Sequence, residues 1–408
     1  MIDIMSRRIK TLLFSTLFPS MVRPVHGIFV ETRLRELLKC GEIETKVVAP
    51  VPWFPFSHKF FGQYGRFAAT PRFERRNGID VYHPRYFLPP KVGMNIAPHT
   101  LAWAALPLIR KIIADGFDFD LIDAHYYYPD GIAAGFIARW LKKPFVVTAR
   151  GSDLSLIPQY PYPRKLIIQT AQAANASISV CRALMDTLKG LGAEPGKLKV
   201  FRNGVDLIKF RPEDRDQVRS RLKLTAPTIL LSVGHLVKHK GHDIAIKVMP
   251  MLPSNVELII AGAGPERLAL ETLAKQLSVQ DRVRFAGQLP NADLKEWYSA
   301  ADALVLCSSR EGWANVLLES MACGTPVIAT NIWGTPEVVS SPDAGVLMRE
   351  RSAKALAESF AELFRNYPSR NAVRAHAERF SWQETSDAQL KLFRHIRDSH
   401  QGITCATC

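Results

Sequence analysis

The sequence predicts an α/β fold of two doubly wound domains, and three observations support this prediction. The chain has 408 residues, more than the roughly 250 to 300 at which one hydrophobic core stops growing. Short apolar runs alternate with longer helical patterns from end to end, as in parallel sheets flanked by helices. A charged segment, residues 207–225, interrupts this alternation before it starts again. We therefore expect a first domain over residues 1–206 and a second that begins at residue 207.

The first half of the chain contains runs that predict strands and runs that predict helices. The strand candidates are short and apolar, whereas the helix candidates repeat apolar side chains at helical spacing. The predicted strands are "IKTLLFSTL" (9–17), "TKVVAPV" (45–51), "FDLIDAH" (119–125), "PFVVTAR" (144–150) and "ASISV" (176–180). The predicted helices are "VETRLRELLKC" (30–40), "IAAGFIARWLK" (132–142) and "YPRKLIIQTAQAA" (162–174).

The second half repeats the same rhythm. The predicted strands are "TILLSVG" (228–234), "VELIIAG" (256–262), "VRFAGQ" (283–288), "ALVLCSS" (303–309) and "TPVIAT" (325–330). The predicted helices are "HDIAIKVMPML" (242–252), "ERLALETLAKQLS" (266–278), "NADLKEWYSAA" (291–301) and "NVLLESMACG" (315–324). Because doubly wound folds bind ligands at the carboxyl ends of their strands, the chemistry is expected in the loops that follow the strands.

An irregular stretch rich in aromatic residues lies between the second strand and residue 119. It contains "PWFPFSHKFFGQYGRF" (52–67) and "YHPRYFLPPKVGMNIAPHTLAWAALPLIRKI" (82–112). Aromatic and basic residues together suit a lipid-linked acceptor or a membrane interface. An insertion that packs on its own domain is the alternative.

The basic composition predicts an anionic partner. The formal net charge is +15 and the sequence pI is near 9.6, so nucleic acid, an anionic membrane surface and a phosphorylated substrate all fit. The sequence has no long Lys/Arg run, no paired Cys/His ligands and no aromatic RNA-binding segment, and we therefore expect no nucleic-acid partner. An Asp-x-Asp metal motif is also absent from the sequence.

Cysteine usage and the N-terminus predict a cytoplasmic protein, soluble or lying on the inner face of the membrane. Six scattered cysteines do not form a disulfide framework, which indicates a reducing compartment. "SRRIKTLLFSTLFPS" (6–20) has no small-residue cleavage site, so a buried first strand is favoured over a signal peptide. No apolar stretch approaches the ~18 to 20 residues of a transmembrane helix. The terminal "CATC" (405–408) is expected to be a frayed tail.

Two loops of the second half follow strands and contain glycine. "SVGHLVKHKGHDIA" (232–245) offers Lys238 or Lys240 to an anion near a helix start, which suits phosphate binding; a basic surface loop is the alternative. "LIIAGAGPERLALE" (258–271) has Gly262-x-Gly264 but lacks the third glycine of a dinucleotide fingerprint. We expect a tight strand-to-helix turn there and no bound NAD.

"SSREGWANVLLESMACGTPVIAT" (308–330) holds two glutamates in an apolar context. Glu311 belongs to a strand-to-helix loop with Gly312 and Trp313, where its carboxylate can accept hydrogen bonds from ligand hydroxyls. Glu319 lies among apolar residues on the following helix, and its burial is costly without a partner. Vicinal hydroxyls such as those of ribose would satisfy a carboxylate, and the amides of Ala314 to Val316 at the helix start are open to phosphate oxygens. The segment therefore suits a nucleoside diphosphate sugar.

This segment resembles the E-x7-E motif of the retaining glycosyltransferases of family 4, the group 1 transferases with the GT-B fold. The resemblance includes Gly312, Asn315 and the "MACGTPV" continuation, and it extends through most of the chain. "VGHLVKHKG" resembles the family's donor-phosphate loop, "FRNGVDLIKFRP" its interdomain segment, "DAHYYYPDG" its histidine loop and "FSWQETSDAQLKLF" its C-terminal helix. The resemblance implies two Rossmann-like domains facing across a deep cleft. The first, residues 1–206, would bind the acceptor, and the second, residues 207–375, would bind the nucleotide-sugar donor. A C-terminal helix over residues 376–400 would pack back toward the first domain.

The resemblance also implies roles for individual residues. Lys240 would bind the donor diphosphate, Glu311 the transferred sugar and Glu319 the ribose hydroxyls. His125 would contact the sugar from the acceptor side, and Gly27 would belong to a flexible loop near the diphosphate. The remaining donor-binding candidates are Gly312, Trp313, Ala314, Asn315 and Val316, with Glu311, Lys240 and His125 as the catalytic ones.

One position departs from the family pattern. His235 stands directly after the first glycine of the phosphate loop, where the family usually has arginine, and histidine is a weaker and pH-dependent cation. Either His235 is charged when donor is bound, or Lys238, Arg150 or Arg182 compensates. Arg150, Asp153 and Arg182 are the acceptor-side candidates. For Arg150 and Asp153 a ligand contact and a loop-stabilising pair are equally open.

The resemblance implies transfer of a hexose-type unit from a UDP-, GDP- or ADP-sugar to a glycan or a lipid-linked acceptor. The setting would be assembly of exopolysaccharide, O-antigen or another cell-envelope polysaccharide, without a tightly bound cofactor or a required metal. A GT-B nucleotide-sugar epimerase or phosphorylase is one alternative. A lipid- or nucleic-acid-binding protein with an inactive site is another. A glycosidase pair is disfavoured because Glu319 has the setting of a binding residue.

Overall fold

A computed structural model of the chain describes residues 7–89 and 93–402. The described residues divide into two compact units, the first running to Phe201 and resuming at Gln383, the second spanning Arg202–Trp382. The terminal "CATC" and its predicted fraying lie outside the described residues. In the part of the chain that the structure describes, no helix is both long and apolar enough to span a bilayer.

The first unit is built on an eight-stranded sheet with strand order β10-β9-β8-β7-β1-β2-β5-β4. All neighbours run parallel except β4, which is antiparallel to β5, and β3 pairs with β6 in a small parallel ribbon. The strands are β1 (Ile9–Phe14), β2 (Ile43–Val48), β3 (Val51–Pro52), β4 (Phe73–Arg76), β5 (Ile79–Tyr82), β6 (Arg85–Tyr86), β7 (Leu121–His125), β8 (Phe145–Ala149), β9 (Ala176–Ser179) and β10 (Leu198–Val200).

Helices cover both faces of this sheet, because β7 and β8 are buried at every position and read as continuous apolar runs. The helices are α1 (Ile28–Leu38), α2 (Gly62–Ala69), α3 (Gly93–Ala114), α4 (Ile132–Leu141), α5 (Ser152–Ser155), α6 (Pro161–Ala173) and α7 (Arg182–Gly190). Chain order reverses between β1 and β7, so the loops after these two strands meet at one edge of the sheet.

The second unit contains a six-stranded, fully parallel sheet in the order β13-β12-β11-β14-β15-β16. Its strands are β11 (Thr228–Val233), β12 (Val256–Ala261), β13 (Val283–Gly287), β14 (Ala303–Leu306), β15 (Val327–Thr330) and β16 (Gly345–Met348). Its helices are α8 (Arg215–Leu222), α9 (His242–Lys247), α10 (Arg267–Gln276), α11 (Leu294–Ala300), α12 (Asn315–Ala322), α13 (Thr335–Val338), α14 (Ala353–Arg365) and α15 (Arg370–Glu378). Chain order reverses between β11 and β14. The predicted α/β class with parallel sheets is confirmed.

The last helix, α16 (Trp382–His400), packs in the first unit from Gln383 onward. Leu390, Phe393 and Ile396 enter a buried cluster with residues of β1, β7 and β9. Their spacing of three residues places them on one face of the helix.

Two segments of the chain contain elements that periodicity did not predict. The expected linker 207–225 includes the helix α8, which Asp214 caps by accepting the Gln217 N–H at 2.9 Å. Only Val218 of α8 is buried, and Arg219 instead pairs with Asp302 at 2.7 Å, so the helix carries almost no apolar stripe.

The stretch expected to be irregular, between the second strand and residue 119, holds α2, α3 and the strands β4 to β6. The helix α3 contains Pro98 and Pro107 in its interior. Interior prolines predict the end of a helix, because each removes a backbone hydrogen bond. It nevertheless buries Leu101, Ala105 and Ile109 at helical spacing, and this packing outweighs the local cost of the prolines.

Candidate active site

The loops after β11 and β14 meet at the point where chain order reverses in the second unit. The Ser309 N–H donates to the His239 carbonyl at 2.7 Å. Gly241 has a φ of +73°, and a Cβ there would lie 2.0 Å from the Cys307 carbonyl oxygen. Only glycine therefore allows the two loops to approach this closely.

The contact brings together Lys240 and Glu311, two of the residues predicted to bind the donor. Lys240 Nζ lies 2.6 Å from Glu311 Oε1, and their side chains are 24% and 10% exposed. Ser308 Oγ donates to the same oxygen at 2.6 Å. The ion pair is partly screened from water, so each charge holds the other in place more strongly than on an open surface.

Glu319 lies within α12, whereas Glu311 lies in the loop before that helix. The two carboxylates have different surroundings. The fully buried Tyr298 donates its hydroxyl to Glu319 Oε2 at 2.9 Å. Burial raises the pKa of the Glu319 carboxyl, and hydrogen bonds from Tyr298 and Asn291 and the charge of Lys209 counter this rise. A second carboxylate is thus held half-buried by neutral donors, whereas Glu311 is paired with a cation.

The start of α12 offers backbone donors next to Glu311. No described residue accepts a hydrogen bond from the amides of Ala314, Asn315 or Val316, as expected for the first turn of a helix. Trp313 is 7% exposed, and its indole Nε1 is buried with no acceptor among the described residues. Unpaired donors are therefore concentrated beside the Lys240–Glu311 pair.

His235 is exposed on the loop after β11. Its Nδ1 contacts the Ala263 carbonyl oxygen, so Nδ1 carries a proton and donates it, and Nε2 remains available to a ligand. Gly262 and Gly264 are explained by close backbone approach, since a Cβ on each would lie 1.8 Å from Gly234 O and 2.4 Å from Leu236 O. This matches the expected tight turn after β12.

In the first unit, β7 ends at His125, which is 1% exposed. The guanidinium of Arg150 can only donate, and it contacts His125 Nδ1; His125 Nε2 therefore bears the proton and donates to Asp123 Oδ2 at 3.2 Å. Burial lowers the pKa of His125 to about 4, and the Arg150 charge adds to this effect while Asp123 opposes it. Gln389 of α16 donates to the same Asp123 oxygen at 3.2 Å. The histidine is thus neutral and held in one tautomer.

The acceptor-side candidates have three different settings. Asp153 is fully buried and accepts the backbone N–H groups of Tyr127, Arg150 and Gly151 at 2.7 to 3.1 Å. These contacts stabilise the loops that follow β7 and β8. Arg150 is buried against His125, and Arg182 is exposed at the start of α7.

Gly27 occupies the left-handed region with φ +68°, and a Cβ there would lie 2.3 Å from the Leu17 carbonyl. The loop after β1 is anchored at its other end by Asp130, which is fully buried and accepts from the Thr16 N–H at 2.7 Å and the Ser15 hydroxyl at 3.2 Å. Burial raises the pKa of Asp130 to about 7, against these hydrogen bonds. The loop between β1 and Gly27 is thus fixed at both ends.

Sequence reasoning missed the residues that hold the predicted ones in place. Of these supporting residues, Ser308 is the one that a sequence signal could have identified, because it directly follows a strand, where doubly wound folds bind ligands. Tyr298 and Gln389 are distant in sequence from Glu319 and Asp123, and no local pattern links them. Among the described residues, no group of three or more His, Cys, Asp or Glu side chains is arranged to hold a metal ion.

Comparison with known proteins places both units in one family. Residues 213–380 match the family model described as glycosyl transferases group 1, and residues 67–209 match that of glycosyltransferase family 4. TuaC of Bacillus subtilis, whose name provisionally assigns it to teichuronic acid biosynthesis as a glycosyltransferase, is 30% identical over 86% of this chain and 88% of its own. The D-inositol 3-phosphate glycosyltransferase 1 of Catenulispora acidiphila is 30% identical over 82% of this chain and 86% of its own.

Solved structures with the same architecture cover nearly the whole chain. Sucrose-phosphate synthase from Thermosynechococcus elongatus has a TM-score of 0.78 at 19% identity and covers 96% of this chain and 100% of its own. HepE of Anabaena, solved in complex with UDP, has a TM-score of 0.71 at 18% identity and covers 95% of this chain and 100% of its own. These likenesses confirm the GT-B fold.

Proposed function

The chain belongs to the group 1, family 4 glycosyltransferases, and we propose that it moves a hexose from a nucleotide sugar onto a glycan or lipid-linked saccharide with retention. Glycosyl transfer itself follows from the family. The cell-envelope setting is supported by the name of TuaC, a relative 30% identical over most of the chain. A UDP-sugar donor is supported by HepE, whose solved complexes contain UDP and UDP-glucose.

The observation that carries the proposal is the Lys240–Glu311 pair, 2.6 Å apart beside the free amides of α12. A lysine cation and helix-start amides suit a diphosphate, and a carboxylate in the adjoining loop suits sugar hydroxyls. In the proposed donor complex, Lys240 contacts a phosphate oxygen and Glu311 is freed to accept a hydroxyl of the transferred sugar. Glu319, held by Tyr298 through one oxygen, accepts from the ribose hydroxyls.

In the proposed reaction, the oxygen of an acceptor hydroxyl forms a bond to the anomeric carbon. The bond from that carbon to the diphosphate oxygen breaks, and the acceptor proton passes to the departing diphosphate. The main demand is negative charge developing on the diphosphate, which Lys240 and the amides of Ala314 to Val316 are positioned to stabilise. The buried Trp313 Nε1–H, which finds no acceptor in the described part of the chain, supplies a further donor.

His125 is proposed to contact the transferred sugar as a neutral hydrogen-bonding group. Its pKa of about 4 supports this, because a charged imidazolium would be excluded near neutral pH. Both ring nitrogens are engaged in the ligand-free chain, so a sugar contact at Nδ1 requires Arg150 to release that nitrogen. Arg150 thereby becomes available to an anionic group.

The acceptor is proposed to be presented at the inner face of the cytoplasmic membrane. The net charge of +15 supports an encounter with anionic lipids. A lipid-linked saccharide would hold the acceptor hydroxyl at that surface.

The experiment is a donor screen with product analysis. The purified protein is incubated with UDP-, GDP- and ADP-sugars and a saccharide acceptor, and free nucleoside diphosphate and product mass are measured. The account predicts turnover of one donor class and protection of the folded chain from heat by that nucleotide. Failure of every nucleotide to bind, with tight and salt-sensitive binding of polyanions, would instead favour the inactive binding protein.

A further inference from the structure

The first unit exposes a group of aromatic side chains that its own packing leaves uncovered. Among the described residues of this unit, five aromatic side chains are more than half exposed. Trp103, at 66%, lies on α3, and the other four follow the strands β3 and β6: Trp53 at 55%, Phe56 at 57%, Phe60 at 85% and Phe87 at 58%. We call these four residues the aromatic patch. Contiguous exposed apolar surface of this kind marks an interaction site in most proteins.

The patch has a rigid base. Phe54 contacts Phe61 and Tyr64 with ring centroids 5.3 Å apart in both pairs, and Phe56 stacks on Phe61 at 5.4 Å. Phe54 and Phe61 are half-buried, and their ring contacts hold Phe56 and Phe60 in place.

The backbone ties the two ends of the patch together. β3 and β6 pair in register at Pro52 and Tyr86, and the Trp53 N–H donates to the Tyr86 carbonyl at 2.7 Å. Trp53 and Phe87 therefore follow adjacent strands at neighbouring positions. The patch is one surface although its residues are separated in sequence.

The two sequence segments that carry the patch contain basic residues but no acidic ones. No acidic residue occurs between Glu44 and Glu74 or between Asp80 and Asp115, and the exposed Lys59 and Arg66 belong to the same segment as the outer rings. Aromatic side chains beside isolated cations match the headgroup region of a bilayer, where rings sit at the interface and cations meet anionic lipids.

From this combination we propose that the aromatic patch docks the protein on anionic phospholipid bilayers. The proposal deepens the proposed function, on which it rests for the lipid-linked acceptor, by naming the surface that meets the membrane. The rings insert among the headgroups, and Lys59 and Arg66 contact lipid phosphates.

The test is co-sedimentation with vesicles of phosphatidylglycerol and phosphatidylcholine in equal amounts, compared with phosphatidylcholine alone. The intact protein is expected to bind the anionic vesicles more tightly and to release in high salt. Combined Trp53→Ser, Phe56→Ser and Phe60→Ser should lower the partition coefficient by about tenfold or more. Lys59→Gln and Arg66→Gln should each lower it by about fivefold.

The matched control is Trp140→Ser with Tyr162→Ser, which removes aromatic side chains that are 42% and 43% exposed and lie outside the patch. It should leave vesicle binding unchanged. UDP binding by the intact protein tests the donor site, and UDP binding by each variant shows that the variant is folded. Failure of the intact protein to bind any nucleotide would therefore count against the proposed function and not against the patch.

Three results would overturn the proposal. Vesicle binding by the triple variant as tight as that of the intact protein would exclude the patch. Equal binding of the intact protein to both vesicle types would exclude the anionic surface. Conversion of a self-associating intact protein to a monomer by the triple variant, without an effect on vesicles, would assign the patch to a second copy of the chain.

Discussion

At the scale of single residues, the central feature is a cation and a carboxylate that hold each other before any ligand arrives. Lys240 and Glu311 are partly buried at 2.6 Å, and Ser308 fixes the same carboxylate oxygen. In the proposed donor complex, a diphosphate replaces the carboxylate as the partner of Lys240. The pair thus keeps the lysine in position at low cost in side-chain entropy.

Lys240→Gln is expected to weaken UDP binding by about tenfold to hundredfold, because a hydrogen bond to a charged group contributes ~1.5 to 3 kcal/mol. Titration calorimetry with UDP measures this change. Lys238→Gln, an exposed lysine in the same turn, is the control and should alter affinity by less than about threefold. Equal losses in the two variants would assign the effect to net charge alone.

Asp130 predicts an unusual dependence of stability on pH. Its folded pKa of about 7 lies above the ordinary 3.8, so its contribution is fully present below about pH 4 and is lost as the pH rises through 7. His125 acts in the opposite sense, since its folded pKa of about 4 makes its contribution present above about pH 6.5 and lost on acidification.

Asp130→Asn should isolate the contribution of Asp130 to the free energy of unfolding, because the contribution of His125 is the same in both proteins. The variant should gain stability relative to the parent chain at pH 8, and the gain should shrink as the pH falls toward 4. The full change is on the order of 4 kcal/mol. Chemical denaturation across this range measures it, and a constant difference between the two proteins would contradict the assignment to Asp130.

The sequence identifies the proposed ligand-binding residues more readily than the residues that hold them in place. Glu311, Lys240 and the amides of α12 follow strands, which is the position that a doubly wound fold uses for ligands. Tyr298 and Gln389 reach their partners only through packing between separate elements, which no local pattern encodes.

At the scale of elements, the turn that carries Lys240 depends on Gly241. Gly241→Ala would place a methyl group 2.0 Å from the Cys307 carbonyl at a φ of +73°, so the two loops must separate. We expect a loss of about 1 to 3 kcal/mol in stability and a larger loss in UDP affinity than Lys238→Gln produces. Thermal unfolding and calorimetry measure the two effects, and unchanged UDP affinity would show that the loop contact is dispensable.

The helix α16 stabilises the first unit through one apolar face. Phe393 is fully buried, and Phe393→Ala should lower the free energy of unfolding by about 3 to 5 kcal/mol. The exposed Lys391 on the same helix provides the control, since Lys391→Ala should change stability by less than about 0.5 kcal/mol. A Phe393→Ala protein as stable as the control would contradict this packing.

Periodicity predicts elements that bury an apolar face and misses those that do not. The strands at the centre of both sheets follow this rule. The helix α8 instead pairs Arg215 and Arg219 with Asp302, and α3 contains two interior prolines. Tertiary contacts override the local signal in both cases.

At the scale of the whole molecule, the repeated α/β rhythm predicts two doubly wound units, and both are present. Each sheet has one reversal of chain order, and the predicted residues of each unit gather there: His125 and Arg150 in the first, Lys240 and Glu311 in the second. The architecture of the doubly wound fold thus places the proposed site residues where such folds bind ligands. The donor base, the sugar and the acceptor depend on loop contacts that the architecture does not determine.

The most direct test of the account is calorimetric titration of UDP and of the donor sugar nucleotide into Glu319→Gln and Glu311→Gln proteins. Glu319→Gln should weaken the binding of both ligands, because ribose is common to them. Glu311→Gln should retain UDP affinity within about threefold and lose the additional affinity that the sugar provides. Unchanged UDP affinity in Glu319→Gln, or equal losses for both ligands in Glu311→Gln, would contradict the division of ribose and sugar between the two glutamates.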